Sequence, residues 1–420
     1  MPRRFEHVKS FGLVAISGAL IFALLLGSVV PAKAAGDRVV KIGWHGIWTG
    51  PIAATGGPAG DGIMEYVEEL NKRGGIDGIK LEVIWYETRA TVPGMIIAHK
   101  RFKEAGVVAE FSILETGVEA MLPLIARDGF PHILATAHST RVVTKPVPWV
   151  FTAEPSAGDS GAVMVKWFRD NWTEERRPKV GAILYDSASC WEWLGGVKWA
   201  CEQWDMEFIG REVVPFAGAV DTSVEWLRLV GKKADAICVA TCGATQVVTI
   251  KDAFRLEVPQ KGIKLLELGY CIMDNMDICG AEAEGWYFPL FAPCTWEQAE
   301  EYPSLKIAYE SAQKFHGLKK GEVLSTAYFV GRSYYVPIVV EAIRLAIQKV
   351  GFENLTGPAV REGMVSIRDL DIGCGPPITV TDVKPWFADG VYIYEIRQGM
   401  PHCIDWREYP GYYKTLHFYE

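Results

Sequence analysis

Three loops of this chain carry the residue types that hold a small ligand: residues 44–57, 114–118 and 136–140. Each follows a short apolar run that reads as a β-strand. In an open parallel sheet, ligands bind beyond the carboxyl ends of the strands. The second loop is the most telling. Thr116 and Gly117 open a segment of helical spacing that carries Met121 and Leu122. Free N–H groups and the positive dipole end there favour an anion. Thr116 is equally suited to capping that helix.

Catalytic and metal chemistry find less support. The chain has no G-x-S-x-G, no H-E-x-x-H and no C-x-x-C. His138 beside Glu115, or Cys190, would be the candidates in a secreted enzyme, but eight histidines make a chance His–acid pairing ordinary. Nine cysteines all lie beyond Ser189. Cys238 and Cys242 lack a second close pair to complete a metal site. Cys271 and Cys279 enclose a short loop and are the favoured disulfide, and the odd count leaves at least one thiol free in a monomer. No cofactor is implied. No Lys/Arg cluster is long enough to track nucleic acid.

The elements that position these loops follow an N-terminal segment of another kind. Arg3, Arg4 and Lys9 precede an apolar run over residues 11–30, then Ala32-Lys33-Ala34. This reads as a secretory signal over 1–34, placing the protein outside the cytoplasm, in the periplasm or an equivalent space. An uncleaved anchor is the other reading, since about twenty apolar residues can span a bilayer. Arg3-Arg4 leaves Sec and twin-arginine export both open. No Cys near the cleavage site offers a lipid anchor. The chain is acidic, at −8 overall, which suits solubility.

After the signal, strands and helices alternate. Strands are expected at 39–44, 81–86, 107–113, 132–135, 179–185, 235–240 and 264–268. Helices are expected at 60–72, 95–104, 118–127, 193–203, 245–254 and 328–349. Residues 378–380 and 390–396 read as late, more antiparallel strands. Short apolar strands between helices argue for parallel sheets covered on both faces, and two such runs argue for two α/β lobes.

Residues 42–56 read IGWHGIWTGPIAATG, and LNKRGGIDGIKLEVIWYET follows the next helix. With Ala283-Glu284-Gly285 before a strand and Gly375-Pro376-Pro377-Ile378 late in the chain, this ordered set resembles the type I periplasmic solute-binding proteins, in the branched-chain amino-acid-binding family of ABC importers. The resemblance covers nearly the whole chain after the signal. It implies two Rossmann-like lobes, 37–152 plus 289–374 and 153–288 plus 375–420, joined by three hinge crossings. A small ligand, carboxylate-bearing in this family, would sit between them. The implied partner is a membrane permease with its ATPase, the protein itself being a non-catalytic monomer; the same fold also serves sensors that signal to a membrane receptor.

The resemblance implies that Thr116, Gly117, Ala137 and His138 hold a ligand carboxylate. Trp48 and Thr55 lie in the first loop, and Trp48 and Trp191 are candidate aromatic walls. Departures from the family pattern are informative. Glu115 stands where the family has small polar residues, and it would repel a carboxylate unless it meets a ligand amine or solvent. The family's first ammonium partner corresponds to Glu154, Ser156 or Asp159. Near the second stand Gly269, Tyr270 and Cys271, with no acid; Tyr270 is the candidate contact there. Either Glu154 or Asp159 completes an amino-acid site, or the ligand is an aromatic or aliphatic carboxylate or amide without an α-amino group.

Overall fold

The computed structural model describes residues 38–143 and 148–416, with Tyr270 described in its backbone alone. The expected signal segment lies outside these residues. Among the described residues, no helix is long and apolar enough to cross a membrane.

Five strands form the first sheet: Val39–Gly46 (β1), Lys80–Glu87 (β2), Glu110–Ser112 (β3), His132–Leu134 (β4) and Val150–Thr152 (β5). Their order is β2-β1-β3-β4-β5, with β1, β3, β4 and β5 parallel. The second sheet has Lys179–Tyr185 (β6), Glu207–Val214 (β7), Ala236–Ala240 (β8), Lys264–Glu267 (β9), Trp286–Leu290 (β10), Gly390–Arg397 (β11) and Met400–Glu408 (β12). Its order is β12-β11-β10-β9-β8-β6-β7. β6 to β10 run parallel, and β11 and β12 close one edge antiparallel. Strands such as β8 are buried along their whole length, which is why the sequence shows continuous apolar runs rather than alternation.

Helices cover these sheets: Ala53–Lys72 (α1), Val92–Ala105 (α2), Glu115–Asp128 (α3), Ala157–Asp170 (α4), Ala188–Gln203 (α5), Ser223–Gly231 (α6) and Gly243–Arg255 (α7). Several start earlier than apolar spacing suggests. The first turns of α1 are rich in glycine, because they press on the preceding loop. A Cβ on Gly56 would stand 2.4 Å from the Ile47 carbonyl oxygen. α5 starts at Ala188 because Ser187 caps it, accepting from the Cys190 amide at 3.2 Å.

The expected helix over 328–349 is divided. A wide turn at Gly331–Tyr335 separates Thr326–Val330 from Val336–Val350. Pro337, just after the turn, has no N–H to continue the regular ladder. Residues 378–380 are not a strand but hold one isolated bridge, Leu370 to Ile378. These two residues exchange both backbone hydrogen bonds at 2.9 Å, and Arg361 pairs with Asp382. Further on, Phe387 and Ala388 donate to the carbonyls of Thr152 and Ala153.

Candidate functional site

The carboxyl ends of both sheets face one cavity of about 280 Å³. Its apolar wall includes Ile52, Ile113, Leu114, Phe216 and Leu268. Thr55, Thr116, Ser187, Ser189 and Thr241 bring hydroxyls, and Tyr185 a phenol ring. Tyr185 and Phe216 meet edge to face, with centroids 5.0 Å apart.

The lobes are closed over this space. Thr55 Oγ1, on α1, donates to Asp274 Oδ2 of the second lobe at 2.9 Å. The Ser189 amide, in the first turn of α5, donates to Glu115 Oε2 at 3.2 Å. The Thr140 amide and hydroxyl donate to Glu192 Oε2 at 2.9 and 2.7 Å.

All three acceptors are carboxylates in poorly hydrated positions. Burial raises Glu115 above the usual carboxyl range, against the hydrogen bonds of Ser139 and Ser189. Burial pushes Glu192 up to about 7, against the Thr140 bonds. Asp274 also reaches about 7 by burial, opposed by Thr55, Ala327 and Ser325.

The expected site residues divide. Thr55, Glu115, Thr116 and Ala137 line the cavity. Gly117 serves packing: a Cβ there would lie 2.0 Å from Met95 Sδ. His138 is fully buried and is not in the lining. Burial drives its pKa down to about 4, against the backbone carbonyls of Pro155 and Thr136, so it stays neutral. Trp48 packs on Trp85 in the first lobe, its amide donating to Glu87 at 3.0 Å. Trp191 borders a separate outer groove with Arg141, Asp186 and Glu192. There its indole N–H donates to Asp186 at 2.6 Å, and Arg211 stacks on its ring. The Tyr270 side chain lies outside the description.

Glu154 borders a recess of about 30 Å³ that shares Thr136 and Ala137 with the cavity. It accepts from the hydroxyls of Ser160 and Tyr409, and burial pushes it up to about 7. Asp159 instead caps the C-terminal segment, accepting from the amides of Gly411 and Tyr413 at 3.1 and 2.9 Å.

Tyr185, Phe216, Thr241, Cys242 and Cys271 join the lining without having been singled out as contacts. Each follows or ends a second-lobe strand, so the rule that selected the first-lobe loops finds them when applied to both lobes. All nine cysteines are free thiols, the favoured Cys271–Cys279 pair included. Cys271 faces the cavity, whereas Cys279 is buried at the end of a short helix.

A second polar cluster lies in the core of the first lobe. Glu110 accepts from His45 at 3.0 Å, His99 at 2.9 Å and His132 at 2.9 Å. His45, Glu110 and His132 have metal-ligand types and proximity. His45 Nε2 and His132 Nδ1 already bond the two Glu110 oxygens, and all three residues are fully buried.

Two mostly parallel α/β sheets whose carboxyl ends face one cavity define a two-lobed fold. The chain belongs to the periplasmic binding protein family, whose model matches residues 39–400. It is similar to the branched-chain amino-acid ABC transporter protein of Thermus thermophilus solved with bound valine, at 18% identity and TM-score 0.78, covering 91% of this chain and 100% of that one. A fatty-acid ABC transporter substrate-binding protein from Thermomonospora curvata matches at 18% identity and TM-score 0.74, covering 91% and 95%. A solute-binding protein from Rhodopseudomonas palustris BisB5, in complex with 3,4-dihydroxybenzoic acid, matches at 18% and 0.74, covering 89% and 99%. No curated protein matches the chain.

Proposed function

We propose that this chain is the extracytoplasmic solute-binding subunit of an ABC-type importer, delivering one small molecule to a membrane permease and its ATPase. The observation that carries this reading is the cavity between lobes joined by side-chain hydrogen bonds. Such bonds let ligand and closure stabilise each other, as hinge-bending binders require. The wall is apolar and aromatic with a few placed hydroxyls, the usual make-up of a small-molecule site. The solved relatives hold ligands as different as valine and dihydroxybenzoic acid, so the family leaves the ligand class open.

A thermal-shift screen of the mature protein tests the reading, because a ligand that binds the folded state raises the melting point. The library holds amino acids, their amine-free acids, amides, amines and sugars. One ligand bound per chain, recovered unchanged, is expected. Steady turnover of that ligand, or no shift across the library, would overturn it.

A further inference from the structure

Resting on the solute-binding reading, we propose that the cavity takes a small organic cation: an amine with an apolar body and no carboxylate, its ammonium held by Glu115.

Glu115 opens α3, and its carboxylate takes two backbone donors at the cleft. Oε1 accepts from the Ser139 amide at 2.5 Å, and Oε2 from the Ser189 amide at 3.2 Å. Ser189 lies in the first turn of α5. The protein's own carboxylate therefore occupies one donor at the positive end of α5 together with the Ser139 amide. A ligand carboxylate would have to enter beside it.

The rest of the lining points the same way. Among the described residues, none that line the cavity is Lys, Arg or His, while Glu115 and Asp186 are both acids. His138 is held neutral by burial. Arg141 borders the outer groove and pairs with Glu119 at 3.6 Å. Glu115 is thus an almost fully buried anion with neutral partners, the arrangement that a bound cation completes. Its two oxygens offer about four acceptor positions, and the amides use two. Tyr185 and Phe216 add ring faces that attract a cation. Ile113 and Leu268 supply an apolar wall for the ligand's body.

The test is isothermal titration of the folded chain with probes sharing a carbon skeleton: 3-methylbutylamine, 4-methylpentanoate, 4-methylpentanamide and leucine. A phenyl pair, 2-phenylethylamine and 3-phenylpropanoate, extends it. An amine is expected to bind at least about thirtyfold more tightly than its matching carboxylate, and Glu115→Gln to remove that preference. Glu154→Gln should retain it. Should Glu115→Gln fail to fold, the ranking in the unaltered protein carries the test: amine must bind more tightly than the matching amide and carboxylate.

Tighter binding of a carboxylate or of leucine overturns the cation assignment and leaves the carrier reading intact. Equal binding of amine and amide, or loss of preference in Glu154→Gln alone, overturns it too. Binding by none of the probes also overturns it, and the carrier reading then rests on the wider screen.

Discussion

Two groups of buried carboxylates in this molecule have opposite electrostatics. In the first-lobe core, Glu110 is ringed by His45, His99 and His132. Burial alone would raise its pKa, but the charges and hydrogen bonds of His132 and His45 outweigh that and hold it well below the usual range. His99 bridges onward to Asp128 at 3.2 Å. Burial would lower its pKa, but Glu110 and Asp128 raise it. At the cleft, the groups that donate to Glu115, Glu192 and Asp274 are neutral hydroxyls and amides, and burial wins. The first cluster is internally compensated and so supports the fold. The second is not, and that imbalance leaves room for a ligand or for motion.

The comparison is broken most forcefully at Glu110. Glu110→Gln takes the one carboxylate from between His45, His99 and His132 in the core, and removing one member of a buried pair costs ~3–5 kcal/mol. Urea unfolding should show that loss, while any folded fraction keeps its ligand affinity. Glu115→Gln should do the reverse, with stability changed by less than ~1 kcal/mol and amine binding lost. If both variants lose stability alike, the two clusters are equally structural and the contrast fails.

A smaller effect concerns pH and the closed state. Asp274 joins the lobes through Thr55, Ser325 and the Ala327 amide, with Asp277 the acid that opposes its ionisation. Its closed-state pKa of about 7 exceeds the ordinary 3.8. A raised carboxyl pKa favours closure while the group is protonated. That contribution is complete below the ordinary pKa and is lost as pH rises through about 7. Lobe-to-lobe fluorescence transfer in the ligand-free protein should therefore report opening between pH 5 and 8. In Asp274→Asn that dependence should shrink, leaving the part due to Glu115 and Glu192. An unchanged profile in the variant would remove Asp274 from the closure.

The two clusters were not equally legible. Alternating strands and helices marked both sheets, because fully buried strands leave continuous apolar runs such as 179–185 and 236–240. Glu115 stood out because an acid occupied a place suited to anions. The histidine core did not, because His45, His99, Glu110 and His132 come from four separate elements that only the folded sheet brings together. Asp274 was hidden for the same reason: its partners are Thr55 and Ser325, far away in the chain. Trp48 and Trp191 misled because an indole near a strand end suits a pocket wall and a packed surface alike. Glycines of β1 and α1 are what let Trp48 turn inward, its ring 2.2 Å from where a Cβ on Gly46 would be and 2.6 Å from one on Gly60.

The smallest expected effect tests that last distinction. Trp191 is 38% exposed, bound to Asp186 at 2.6 Å and covered by Arg211 with 4.9 Å to its ring centroid. An exposed cation–π contact contributes about 0.5–1 kcal/mol, and the ring lines the outer groove rather than the cavity. Trp191→Ala should therefore lower ligand affinity by less than about threefold, mostly through a freer Asp186 at the cavity edge. Titration of the best-binding probe against both proteins measures this. A loss of tenfold or more would put the indole against the ligand and extend the site into the outer groove.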